Sequence, residues 1–191
     1  MRTISVLRVF TRGDIGGNHL GVVAEVADLD TASMQQIAAE LGYSETIFLV
    51  RRDSGAPLVR IFTPAAEMPF AGHPLVGAAW TAAQGPAGME GKLACAVGEI
   101  PYRVSGGEAW VDTPMVGDVE TADDGAGIAS ESRLPSTGRI WWARMPIPYL
   151  IVEAPSAAAV AGATPDFGAL LSGPAAEAAY LFSRTGDRVK A

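Results

Sequence analysis

The stretch that most constrains this chain runs from Arg60 to Gly85 and reads RIFTPAAEMPFAGHPLVGAAWTAAQG. Its pattern predicts the end of a strand over 60–63, a loop over 64–71 and a helix over 73–84. Pro74 stands just inside the helix start, where a missing N–H costs nothing, and Gly85-Pro86 closes the element. Leu75, Val76, Ala78, Ala79, Trp80, Ala82 and Ala83 leave it almost no polar face. Such a helix is expected to be surrounded by protein rather than laid on a surface.

The start of this helix differs in character from its body. Gly72 and His73 present backbone N–H groups at the positive end of a buried dipole, which is a natural seat for a carboxylate. The same residues fit a core helix that follows a tight Gly-Pro turn, and the local sequence leaves both readings open.

Composition narrows the class of protein. Of 191 residues, 49% are hydrophobic and 18% charged, enough for a core and against extensive disorder. A formal charge of −7 argues against nucleic acid and anionic membrane as partners, since both favour basic patches, while a small anion remains compatible with a local positive site. The single cysteine, Cys95, cannot form an internal disulfide, and the N-terminal MRTISVLRVF lacks the apolar run of a signal peptide. No apolar stretch is long enough to span a bilayer, so the expected location is cytoplasmic. Two histidines, His19 and His73, with one cysteine argue against a transition-metal site.

Along the chain, residues 4–10 predict a strand, residues 13–17 a loop without the spacing of a dinucleotide fingerprint, and residues 22–26 a second strand. Asn18 lies between them and by residue type reads as a turn position. Asp30 or Thr31 caps a helix in which Met34, Ile37, Ala38 and Leu41 share one face, and Gly42 ends it. SETIFLV (44–50) reads as a strand. Glu45 at its first turn is either an exposed strand-end residue or a desolvated carboxylate, and desolvation would raise its proton affinity and suit it to proton transfer. Strands are predicted over 58–63, 92–97, 100–104 and 109–113, with Cys95 a small core residue. Residues 117–132 read as an acidic, loosely structured connection. Strands over 141–145, 149–153 and 179–183, two short helices near Ser156 and Asp166, and a final strand entry at 188–191 complete the order. The sequence strand, helix, strand, strand repeats that of residues 22–63 without any repeated motif, so an internal duplication is expected only weakly.

Three motifs together, GN (Gly17-Asn18), SET before an apolar strand (Ser44–Val50) and RIFTPAAEMPFAGHPLVGAA (Arg60–Ala79), closely resemble the PhzF family of phenazine biosynthesis-like proteins. The likeness covers residues 1–115 and continues more weakly to Ala191. It implies an α+β chain with the two-lobed diaminopimelate epimerase-like fold, each lobe a curled, mostly antiparallel sheet around a central apolar helix and the site between the lobes. The domains implied are an N-terminal lobe, 1–115, and a partial second lobe, 116–191, that lacks its central helix.

By the same resemblance the activity is a cofactor-independent isomerisation that moves a proton on a small carboxylic acid. In the phenazine enzyme of the family that acid is a dihydro-3-hydroxyanthranilate. Glu45 would be the general base and then acid, His73 a polar partner, the Gly72 and His73 backbone groups a seat for the substrate carboxylate, and Asn18 and Ser44 pocket-lining residues. His19 departs from the proline common at that place. The family's acidic EDPATGSA-like motif has no counterpart in the 191 residues, so the expected partner is a second polypeptide chain or a homodimer mate. The alternative from a different class is a non-catalytic remnant that binds a small acid or a protein.

Overall fold

Strands β1 (Ile4–Arg12) and β2 (Ile15–Ala24) form an antiparallel hairpin that pairs from Ile4 with Val23 down to Arg12 with Ile15. The expected loop over 13–17 is therefore only a two-residue turn, Gly13-Asp14, and the second strand begins seven residues earlier than the pattern suggested. Gly16 and Gly17 mislead a composition-based reading because they sit inside the strand with positive φ. A side chain at Gly17 would collide with Thr11 across the ladder. The computed structural model describes residues 4–24, 26, 28–50, 52, 55–83, 85, 88–112, 118–144, 148–172, 178–186 and 188–190. They belong to two units, Met1–Pro114 and Met115–Ala191.

In the first unit, helix α1 (Thr31–Leu41) starts at Asp30, whose carboxylate accepts from the Ser33 N–H at 2.8 Å, and stops at Gly42 in the left-handed conformation. It crosses from β2 to β3 (Glu45–Val50), which pairs parallel to β2, and β4 (Leu58–Phe62) returns antiparallel. Residues 64–71, expected as loop, contain the two-residue strand β5 (Glu67–Met68) paired to β4. Helix α2 spans Gly72–Ala82, and β6 (Met89–Cys95), β7 (Gly98–Ser105) and β8 (Glu108–Val111) complete a sheet ordered β1-β2-β3-β4-β6-β7-β8.

Alternation along these strands sends two sets of side chains to opposite faces. Leu20, Val22, Ile47, Leu49, Ile61, Leu93, Ile100 and Val104 pack with Leu75, Ala78 and Ala79 of α2. Val23, Phe48 and Phe62 pack with Met34 and Ala38 of α1 on the other face. Helix α2 touches every strand of the sheet path, including both edges, β1 and β8, so the sheet wraps it as an all-round apolar helix requires. Each fully buried leucine, such as Leu75, contributes on the order of 2 kcal/mol. Gly77 brings α2 close to the hairpin, since an added Cβ there would run into Leu20. Cys95 is buried and free.

The second unit corrects one expectation. Residues 117–132 include β9 (Val119–Thr121) and α3 (Gly125–Glu131) rather than a loose connection. The small residues that looked like linker are what permit close packing: Ala122 and Ala129 are buried, and a Cβ at Gly125 would clash with Ile140. The Trp142 indole N–H also donates to Asp124 at 3.0 Å. Strands β10 (Ile140–Arg144) and β11 (Pro148–Glu153) pair antiparallel, α4 (Ala157–Ala161) and α5 (Phe167–Ser172) follow, β12 (Ala178–Thr185) lies parallel to β11, and β13 (Arg188–Lys190) returns antiparallel. The order is β13-β12-β11-β10-β9. Strands β10 to β13 thus repeat the pairing directions of β1 to β4, with the helical crossover in the same place. The final expected residue, Ala191, and Met145 lie outside the described residues.

Candidate functional site

Glu45 and His73 reach the same place by different routes. Helix α1 ends at Gly42, and three residues later Glu45 opens β3 on the face that carries Ile47 and Leu49 towards α2. His73 is the second residue of α2. Its Nε2 lies 3.3 Å from Glu45 Oε2, and the two side chains are only 11% and 19% exposed. The pair lacks the alignment of a hydrogen bond, and among the described residues neither atom has another hydrogen-bond partner. Burial pushes the imidazole below its ordinary pKa, opposed by the neighbouring Glu45 carboxylate.

The remaining expected residues fall into two further groups. Ser44, just before β3, donates its hydroxyl to the Asn18 side-chain carbonyl at 3.1 Å. Asn18 is not a turn residue: it lies in β2 opposite Val9, two residues before Leu20, which pairs with Glu45. Gly72 opens α2 after Ala71, which is extended, and no side chain caps this helix start. A Cβ at Gly72 would meet nothing within 4 Å, so the backbone there faces open space. Free N–H groups of this kind favour an anion. The structure brings Glu45 to His73 and Asn18 to Ser44, with Gly72 adjacent to His73 in sequence.

Sequence reasoning gave no role to Gln35, Arg60 or Glu67. Arg60 and Glu67 belong to the long motif, and their seven-residue separation across the β4–β5 bend was the one visible signal. In the structure Arg60 holds the Glu67 carboxylate in a fork, Nε to Oε1 at 2.7 Å and Nη2 to Oε2 at 2.6 Å. Gln35 donates to the carbonyls of Thr63 and Pro64 at 3.0 and 3.1 Å. No periodicity or composition signal marks Gln35.

A partly buried carboxylate beside an imidazole can accept a proton and return it, and uncapped N–H groups next to them can hold an acid. Among the described residues, no group of three or more His, Cys, Asp or Glu side chains is placed to hold a metal ion, and no helix is long and apolar enough to cross a membrane.

Residues 7–184 match the family model PhzC-PhzF, described as phenazine biosynthesis-like protein. An uncharacterised isomerase of Mesorhizobium japonicum is 51% identical over 73 residues, 37% of this chain and 24% of the relative. Trans-2,3-dihydro-3-hydroxyanthranilate isomerase of Pseudomonas chlororaphis is 44% identical over 75 residues, 39% of this chain and 27% of the relative. These matches thus span about a quarter of the length of each curated relative. Among solved structures, a predicted epimerase from Pseudomonas aeruginosa superposes with a TM-score of 0.73 at 30% identity, covering 96% of this chain and 70% of that one. A PhzC/PhzF protein from Clostridium difficile gives a TM-score of 0.78 at 19% identity, covering 98% of this chain and 70% of that one, a likeness of fold. A match over 178 of the 191 positions, in a mixed α+β chain that carries the long motif around α2, places this chain in the PhzC-PhzF family of phenazine biosynthesis-like proteins.

Proposed function

We propose that this chain is a PhzF-like isomerase component that moves a proton on a small carboxylic acid, using side chains rather than a cofactor. The observation that carries the reading is the partly buried Glu45–His73 pair, 3.3 Å apart, at the uncapped start of α2. Glu45 takes the proton from carbon and returns it at another position. The imidazole, kept neutral by burial, lets the carboxylate stay a base instead of neutralising it as a fixed cation would. The Gly72 and His73 N–H groups hold the substrate carboxylate, and the Ser44–Asn18 pair lines the pocket.

Relatives named trans-2,3-dihydro-3-hydroxyanthranilate isomerase, whose substrate is a cyclic carboxylic acid, support this substrate class. The solved relatives are longer, this chain covering 70% of each. We therefore propose that further polypeptide, whether more of this same protein, a second chain or a homodimer mate, contributes to the complete site. The test is deuterium wash-in from D2O to trans-2,3-dihydro-3-hydroxyanthranilate, read by mass spectrometry, for the chain alone and with each polypeptide that co-purifies from its own cells. Carbon-bound deuterium that disappears in Glu45→Gln supports the reading. Binding of the acid without exchange under every combination would leave a non-catalytic binding protein instead.

A further inference from the structure

The separation of Glu45 from His73 is set by the backbones that carry them. Neither Glu45 Oε2 nor His73 Nε2 has a hydrogen-bond partner among the described residues, so no hydrogen bond fixes the 3.3 Å distance. Two segments deliver the pair: α1 runs into Glu45, and the connection from β4 runs into His73. Where those segments meet, away from the pair, three residues of α1 at i, i+3, i+4 spacing (Thr31, Met34 and Gln35) all touch β4 or the connection that follows it.

Gln35 places both donors of its amide nitrogen on successive carbonyls, Thr63 at 3.0 Å and Pro64 at 3.1 Å, where β4 ends. The Arg60 guanidinium grips Glu67 of β5 through the fork, and its Nη2 also reaches the Thr31 hydroxyl at 2.9 Å. It approaches Met34 Sδ at 3.5 Å and lies 5.2 Å from the Phe62 ring centre. Within the connection, Thr63 accepts from the Ala65 and Ala66 N–H groups at 3.2 and 3.0 Å and donates its own N–H to the Ala66 carbonyl at 2.8 Å. A segment so tied has few conformations left before it enters α2.

We infer that Gln35 and the Arg60–Glu67 fork are positioning residues, a brace between α1 and the β4–α2 connection that sets where His73 stands relative to Glu45. The inference rests on Glu45 and His73 being the proton-transfer pair, but its test does not need turnover. The brace keeps the imidazole out of water. Without it, water reaches His73, and relief of burial outweighs the weaker pull of a more distant Glu45, the charged group beside it.

The chain holds two histidines, His19 and His73, so their ring protons can be assigned with one His19→Gln variant. His19 stacks on Tyr43 at 6.2 Å in β2, outside the brace, and serves as the internal reference. The experiment is an NMR pH titration of both rings in the wild type, Gln35→Met and Glu67→Gln. The expected result is a His73 midpoint raised by about half a pH unit or more in each variant, with His19 unmoved. Glu67→Gln sharpens the test, since removing a negative charge by itself would lower a histidine's midpoint. If thermal stability falls but His73 titrates as in the wild type, or if both rings shift together, the inference is overturned. Should Glu67→Gln fail to fold, Gln35→Met and Arg60→Lys carry the same readout. Absence of exchange chemistry in the wild type under every combination with co-purifying polypeptides would overturn the isomerase reading and leave the titration result standing.

Discussion

His73 Nε2 and Glu45 Oε2 sit 3.3 Å apart without hydrogen-bond alignment, and burial outweighs the carboxylate in setting the imidazole's proton affinity. An aligned, charged ion pair would have raised it. The native ring therefore titrates below the ordinary 6.5, while the unfolded chain retains that value. Above 6.5 both states hold a neutral ring and His73 adds no slope to stability. As pH falls through 6.5 the unfolded chain takes up a proton that the native chain refuses, so stability declines until the native ring also protonates. In His73→Gln, the fall in urea midpoint across that window is expected to be shallower than in the wild type. Parallel curves would show that His73 is not the group responsible.

Glu45→Gln keeps the shape of the side chain and removes its basicity. Because Glu45 makes no hydrogen bond that the substitution would break among the described residues, the urea midpoint is expected to stay near that of the wild type. Deuterium wash-in to the acid should drop by about a hundred- to ten-thousandfold, the range for losing a positioned general base. Undiminished exchange in a folded variant would remove Glu45 from the chemistry.

Local rules carried far in this chain where one physical signal dominated. The α1 cap, face and αL stop are legible from Asp30, the Met34–Ile37–Ala38–Leu41 spacing and Gly42, since each reflects backbone groups that must be satisfied within a few residues. The apolar body of α2 likewise announced its burial, although the helix begins one residue before His73 and ends at Ala82. Glycines misled in two places for opposite reasons. Gly16 and Gly17 are strand residues that let the hairpin coil, and Gly125 is a close-packing contact against Ile140. The Gln35 brace was invisible because residues 28 positions apart meet only in the folded chain.

Opposite Gly17 in the hairpin stands Phe10, whose φ of 63° is left-handed and whose side chain is 72% exposed. An L-residue in that region is strained by about 1–2 kcal/mol, and an exposed ring returns little of it through burial. Phe10→Gly relieves the strain but gives the unfolded chain more freedom. The net expectation is a gain of about 0.5–1 kcal/mol, read as a higher urea midpoint at unchanged slope. A loss of stability would mean that the ring is covered in solution.

The second unit holds a carboxylate whose surroundings predict a larger effect. Glu153 is 3% exposed on β11, and Arg139 reaches it from beside β10 with Nη2 at 2.6 Å from Oε1 and Nε at 2.6 Å from Oε2. Arg184 stands by at 3.9 Å. Removing the partner of a buried charge commonly costs about 3–5 kcal/mol, because the charge remains without a counter-ion. The Arg139 side chain is 62% exposed, so water and Arg184 replace part of what it supplies and the cost is reduced. Arg139→Met is accordingly expected to lose about 2 kcal/mol at neutral pH, and adding Glu153→Gln should restore part of that loss by removing the stranded charge. A double-mutant cycle on urea midpoints checks both statements, and an additive pair would show that the Arg139–Glu153 ion pair contributes no coupling to the second unit.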